Sequence, residues 1–297
     1  MKFSITSVLG AASTAILLAL SSIQVSALPT NPVAESVTIE KRAIEGLNNY
    51  NCKLTPAHPR PVILVHATLL TVDSWEVFAP ILIKRGYCVF GLTYGKYKSV
   101  PVFGGLAPIE DSAKQLGDFA NDVLAKLNAT QVDVVGHSQG GILARYWIKY
   151  LDGAGKVYRH VGISPINHGT TLSNIVTLGK ALGILEPSQP LFDAVAPSFF
   201  QMITNSAFIQ KLNAGGDTAK GVIHSNIATQ YDEVVTPWET CYQKVSGVTN
   251  VLLQDLCGLS LIEHLFMVRS KVVLQFVLNQ LDPSTAKTAN CLSAITL

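Results

Sequence analysis

The sequence predicts an α/β fold: a doubly wound, mostly parallel sheet with helices on both faces and a small helical lid or cap insertion. From residue 61 onward, short β-branched runs alternate with stretches of helical periodicity. Such alternation means parallel pairing, because parallel neighbours need a crossover and cannot be joined by a tight hairpin. Charged residues are only 14% of the chain and hydrophobic ones 48%, against a usual charged share of roughly 25%. That balance suits a large apolar core or an apolar ligand and leaves nothing basic to hold nucleic acid.

Val62 to Val65 reads as the first buried strand. Ser74 to Lys84 follows as a helix with Trp75, Phe78, Ala79, Leu82 and Ile83 on one side, and Gly86 ends it. Tyr87 to Leu92 is the second strand. Pro108 sits where a helix start tolerates proline, and the helix to Leu127 gathers Ile109, Ala113, Leu116, Ala120, Val123 and Leu127 on one face. Val132 to Val135 is the third strand, a helix runs from Ser138 towards Leu151, and Val157 to Ile163 is the fourth strand. The rhythm is lost between about Thr171 and Gly216. The Leu- and Phe-rich part of that segment, Leu182 to Phe208, reads either as a lid over an acyl pocket or as plain packing of extra helices. Order resumes with Val222 to Tyr231, Val248 to Leu253 and a final helix from Leu265 to Gln280.

Ahead of this domain lies an address. Lys2 precedes an apolar run from Val8 to Leu20, and Val25-Ser26-Ala27 offers small residues at the spacing of a signal-peptidase site. Residues 1–27 therefore read as a signal peptide. Residues 28–42, ending in the dibasic Lys41-Arg42, read as a propeptide, which leaves residues 43–297 as one exported domain. All five cysteines fall in that part, and export lets them oxidise. The favoured pairing is Cys52 with Cys88 and Cys241 with Cys257, leaving Cys291 in the tail. Asn128-Ala129-Thr130 is a glycosylation acceptor between a helix and a strand.

The strongest local signal is Val134-Val135-Gly136-His137-Ser138-Gln139-Gly140-Gly141, where a strand leads into Gly-x-Ser-x-Gly and a helix leaves it. A serine at such an elbow has its hydroxyl lifted clear of the sheet. The hydroxyl is nearly inert at neutral pH, so it needs a base, and the base needs a carboxylate to hold its tautomer. With the order Ser, acid, His expected for this elbow, Asp232 follows a strand-like run at the right place. His264 is the one histidine beyond it. Glu233, Glu239, Asp255 and Glu263 compete with Asp232 for the acid role. The oxyanion of a tetrahedral intermediate needs preorganised donors, expected from the N–H of Gln139 and from Thr68 in the loop His66-Ala67-Thr68. His66 and His137 read as braces of these loops. No His-x-x-His or Cys-x-x-Cys spacing points to a metal site, and the chemistry requires no cofactor.

At these residues the chain resembles the class 2 lipase family of secreted α/β-hydrolases and is more distantly similar to fungal lipase B enzymes. The resemblance rests on Arg60 to His66, Gly86 to Phe90, Gly136 to Gly141, Asn167-His168-Gly169-Thr170-Thr171, Asn213 to Thr218, Tyr231 to Pro237 and Leu253 to Cys257. It implies a secreted, monomeric serine hydrolase cleaving carboxylic esters of lipids, with transient contact at a lipid interface and with the family's triad on Ser138, Asp232 and His264. A carboxylesterase for short soluble esters and a non-catalytic binding protein on the same scaffold are the alternatives. One departure stands out: such enzymes carry His-Gly-Thr at the oxyanion loop, and Ala67 replaces the glycine here. A positive φ at that position would strain alanine or displace Thr68.

Overall fold

In the computed structural model the described residues are 43–97, 101–171, 174 and 196–294. The segments read as signal peptide and propeptide, and nearly all of the chain between 171 and 196, lie outside them.

Six described strands, β1 (Val62–Val65), β2 (Val89–Leu92), β3 (Val132–His137), β4 (Val157–Ile163), β5 (Ile223–Ala228) and β6 (Thr249–Leu252), form one parallel sheet in the order β2-β1-β3-β4-β5-β6. The chain steps outward from β1 to β2, then returns past β1 to start β3 and builds in the opposite direction. The crevice at the carboxyl ends of β1 and β3 is thus the topological switch point, where such sheets bind ligands. The loops that leave β1 and β3 carry Thr68 and Ser138.

Helices cover both faces. Val62 and Leu64 turn into one apolar cluster, with α1 (Phe78–Lys84) and α7 (Lys271–Leu281) packed on it. Ile63 and Val65 turn into the other, under α2 (Ile109–Leu127), α3 (Gln139–Tyr150), α4 (Pro197–Gln201) and α5 (Ala207–Asn213). The longest helix, α2, has Glu110 and Asp111 in its first turn and Lys126 in its last, each at the end where the helix dipole favours its charge. Asn128 closes it in a left-handed conformation that asparagine tolerates better than most residues. Gly117 lets α2 settle on α3, since a Cβ there would come 2.8 Å from the indole nitrogen of Trp147.

Two helices begin later than their periodicity predicts. The stretch from Ser74 splits into a 3-10 turn, Val72–Trp75, and α1 from Phe78. Pro80 accounts for the split, because its ring would clash with the carbonyl of Glu76 in a continuous helix and is tolerated only in a first turn. The final helix likewise starts at Lys271, after a 3-10 turn Leu265–Arg269. The Ser270 hydroxyl accepts from Val273 N–H at 3.3 Å and starts a fresh helix. From Ala196 onward, in the described part of the segment read as a possible lid, Phe199, Met202, Phe208, Ile209 and Leu212 are buried and Phe200 is exposed.

The disulfide pairing needs a correction. Cys52 is bonded to Cys88, but Cys257 is bonded to Cys291, and Cys241 is a free, buried thiol. The Cys241–Cys257 bridge fails because the sheet lies between them. Cys241 packs in the cluster on one face and Cys257 in the cluster on the other. Among the described residues no helix is long and apolar enough to cross a membrane.

Candidate active site

Ser138 sits between the last residue of β3 and the first of α3 with φ 56° and ψ −120°, a strained region for any side-chain-bearing residue. Two contacts hold it there. Its N–H donates to Ile163 O at 2.9 Å, and its carbonyl accepts from Gly141 N–H at 3.1 Å. The turn closes only because Gly136 lacks a side chain: a Cβ there would meet the backbone of Gly140 and Gly141 at 2.6 Å. The Ser138 hydroxyl is buried and makes no hydrogen bond to any described residue.

Asp232 and His264, 32 residues apart, meet in a fully buried pair with Asp232 Oδ2 at 2.8 Å from His264 Nδ1. The other carboxylate oxygen of Asp232 accepts from Val234 N–H at 3.0 Å and Val235 N–H at 2.7 Å. Both oxygens are thereby committed as acceptors, so Nδ1 of His264 is the donor and Nε2 carries the lone pair. Nε2 is buried and makes no hydrogen bond to any described residue. His264 and Ser138 are linked through Ser138's neighbour, since His137 Nε2–H donates to His264 O at 3.0 Å and the two rings lie 5.0 Å apart. Serine hydroxyl and imidazole are not hydrogen-bonded to each other. Burial alone would push the His264 imidazole down. The Asp232 carboxylate outweighs that, with Glu233 and Glu263 adding to the pull, and the ring lies above its ordinary value.

Glu233 and Glu263 flank the pair on either loop. Burial and a hydrogen bond to Glu263 push Glu233 up to about 7. Glu263 also caps the turn after His264, accepting from Leu265 N–H at 2.8 Å and Phe266 N–H at 3.2 Å. Of the competing carboxylates, these two adjoin the pair, but neither is hydrogen-bonded to the imidazole.

Thr68 and Gln139 are both buried and converge on one atom. Thr68 Oγ1 donates to Met202 Sδ at 3.5 Å, and Gln139 Nε2 reaches the same sulfur at 3.6 Å and Gly105 O at 3.0 Å. Gln139 opens α3, where first-turn N–H groups lack intrahelical acceptors. Ala67 is not among the described residues with positive φ; Leu69, two residues on, takes φ 63° instead. His66 braces this loop. Its Nε2 accepts from Tyr94 N–H at 3.2 Å, so Nδ1 donates to Ala67 O at 2.7 Å, and burial holds the ring down at about 4.

Met202 and Gly105 carry no mark in sequence; they lie in irregular segments and reach the site only through the fold. Two of the motifs quoted above converge on a single buried side chain, Arg145 of α3. Its guanidinium donates to Asn167 Oδ1 at 2.9 Å, Asn213 Oδ1 at 2.9 Å and Asp217 O at 2.7 Å. Among the described residues no group of three or more His, Cys, Asp or Glu could hold a metal ion.

A parallel sheet with a strained serine elbow at its switch point, and a buried carboxylate and imidazole delivered beside it from the end of β5 and from beyond β6, defines an α/β-hydrolase. Within that class the chain belongs to the class 2 lipases, whose family model matches residues 59–275. In three dimensions it is similar to lipase B of Aspergillus fumigatus (TM-score 0.61, 21% identity, 80% of this chain and 57% of that one). It is also similar to mature lipase BlEst2 of Bacillus licheniformis (TM-score 0.55, 13% identity, 77% and 94%). In sequence it is 27% identical over 171 residues to the non-heme chloroperoxidase CPO-A1 of Kitasatospora aureofaciens, covering 56% of this chain and 54% of that protein. A putative non-heme chloroperoxidase of a Synechocystis species is 27% identical over 184 residues, covering 55% and 63%. The chain thus spans a little over half the length of the curated relatives it matches.

Proposed function

We propose that the chain is a secreted, monomeric lipase in which Ser138, His264 and Asp232 act as nucleophile, base and acid on carboxylic esters of lipids. The observation that carries this reading is the buried Asp232–His264 pair, which leaves Nε2 with its lone pair free, the His264 backbone being bonded to His137, the residue next to the strained Ser138. Ser138 attacks the ester carbonyl as His264 Nε2 takes its proton, and the tetrahedral oxyanion is met by the N–H groups of Gln139 and Thr68. The Thr68 hydroxyl turns from the weak thioether acceptor of Met202 to add a third donor. His264 then protonates the leaving alcohol, and water hydrolyses the acyl-enzyme. Asp232 stays ionised throughout, stabilising the imidazolium.

Lipid as the substrate class rests on the rim. Leu259 (86% exposed) and Leu261 (72%) precede His264, Phe266 (41%) follows it, and Tyr231 (42%) precedes Asp232. Large apolar side chains exposed close in sequence to the reacting residues favour contact with a lipid surface. Two disulfides favour an oxidising destination, and the exposed turn at Asn128 suits a glycan.

The test is threefold. A fluorophosphonate should label wild-type Ser138 and fail on Ser138→Ala; an unlabelled Ser138 would return the non-catalytic reading. Initial rates over an acyl-length series, with emulsified triglyceride alongside, should rise beyond four carbons. A collapse there would leave a carboxylesterase for short esters. Size-exclusion chromatography should give one chain per particle, and a larger species would overturn the monomer.

A further inference from the structure

Nothing in the Ser138, Asp232 and His264 set explains how two loops so distant in sequence keep carboxylate and imidazole at hydrogen-bond distance. The acid loop leaves β5 at Thr229, and the base loop leaves α6 (Leu253–Leu256) at Cys257. Gln254, on α6, touches both. Its Nε2 donates to Thr229 Oγ1 at 3.1 Å and to Ser260 O at 2.8 Å, while its Oε1 accepts from Gln230 N–H at 3.1 Å. The amide has one orientation only, because a flipped group would set its NH2 against the Gln230 N–H.

Thr229 is as fully engaged. Its buried hydroxyl donates to Ile262 O at 2.7 Å and accepts from Gln254 and, at 3.3 Å, from Tyr231 N–H. One donor and two lone pairs are all that a hydroxyl has. The Thr229 carbonyl meanwhile accepts from Asp232 N–H at 3.3 Å. Asp232 is three residues beyond Thr229, and His264 is two beyond Ile262. A clamp of two side chains therefore fixes the acid loop to the base loop within one turn of each reacting group. None of its hydrogen bonds ends on the imidazole, the carboxylate or the Ser138 hydroxyl.

We propose that Gln254 and Thr229 are a positioning pair whose hydrogen bonds set the alignment of Asp232 with His264; the inference rests on the triad reading above. The test compares Gln254→Met, Thr229→Val, Thr229→Ser and the Gln254→Met/Thr229→Val double variant. Each is measured for kcat, KM and the pH profile of kcat/KM on a soluble p-nitrophenyl ester. Misalignment by a fraction of an ångström should lower kcat by about tenfold or more in Gln254→Met and Thr229→Val, with KM changed by less than about twofold. The acid limb should move to lower pH in both, since a loosened Asp232 raises the imidazole less. Thr229→Ser keeps the hydroxyl and should stay within about threefold of wild type, and the double variant should be no worse than about twice the slower single one, because neighbours in one network do not add.

Wild-type kcat and an unmoved acid limb in both singles would overturn the proposal. So would Thr229→Ser as slow as Thr229→Val, or fully multiplied losses in the double variant. If Gln254→Met does not fold, the Thr229 pair decides alone. Fluorophosphonate labelling of Ser138 separates the two levels: labelled wild type with unaffected clamp variants sinks the clamp only, whereas an unlabelled wild type sinks the triad itself.

Discussion

Asp232→Asn is the substitution on which the structure makes its sharpest statement. The carboxylate is held from two sides, with one oxygen under the Val234 and Val235 N–H groups and the other on His264 Nδ1. An amide has one acceptor and one donor end, and the two backbone donors can be satisfied only by its oxygen. Its NH2 must then face Nδ1 of His264. The imidazole answers by moving its proton to Nε2, which becomes a donor and can no longer take the Ser138 proton. The geometry is preserved and the base is removed. In a comparable triad that exchange costs about ten-thousandfold in kcat, or about 5.5 kcal/mol of barrier. Steady-state kinetics on a p-nitrophenyl ester should give this loss with KM nearly unchanged, circular dichroism unaltered and fluorophosphonate uptake slowed in parallel. A folded variant within about tenfold of wild type would refute the argument and move the acid role to another carboxylate, Glu233 and Glu263 being nearest in sequence.

Thr68→Val removes the hydroxyl and keeps the backbone donor. Loss of one oxyanion donor is worth about 3 kcal/mol, so kcat should fall by about a hundredfold or more, and an unchanged kcat would leave the side chain no part in the reaction. Glu233→Gln bears on pH. Glu233 titrates in the folded state at about 7, above its ordinary value, so its stabilising contribution is complete at low pH and fades as pH rises towards 7. The variant should therefore lose less stability than wild type between pH 5 and 8 in thermal melts. The acid limb of its kcat/KM profile should also lie lower, because one of the carboxylates holding His264 up is gone. Cys291→Ser opens a bridge between cysteines 34 positions apart, worth roughly 3 to 4 kcal/mol on chain-entropy grounds. Chemical denaturation should show that loss, and mass mapping of the non-reduced wild type should join Cys257 to Cys291.

What the sequence makes legible is whatever depends on neighbours along the chain. The four strands up to residue 163 stand out because a strand buried on both faces is a continuous β-branched run. Ser138 stands out because its turn demands small residues on either side. His264 follows from chain order and from being the one histidine beyond Asp232. The cysteine pairing does not, since spacing is blind to which face of the sheet a residue occupies, and Cys241 and Cys257 occupy different ones. Pro80 marks the split in the chain itself, but the apolar periodicity from Trp75 to Ile83 runs straight through it. Met202 and Gln254 are beyond any local reading, for each acts on residues that only the fold brings near.

The oxyanion loop makes the same point within three residues. Alanine where the family resemblance leads one to expect glycine implies strain only if the backbone there must turn left-handed, and Ala67 does not. The turn falls on Leu69, a residue that pays for a positive φ and recovers the cost elsewhere. Its side chain is buried in the main cluster, and its N–H donates to Gly104 O at 2.9 Å, while Gly104 N–H donates to Leu70 O at 3.0 Å. These reciprocal bonds lock the loop to the 104–105 segment. At Gly105 a Cβ would come 2.9 Å from the Thr68 backbone. The freedom that glycine supplies is thus spent on the segment packed against the loop, where two backbones cross. Thr68 is consequently set by its neighbour across the crevice, and a substitution at Gly104 or Gly105 should disturb it more than the identity of residue 67 does.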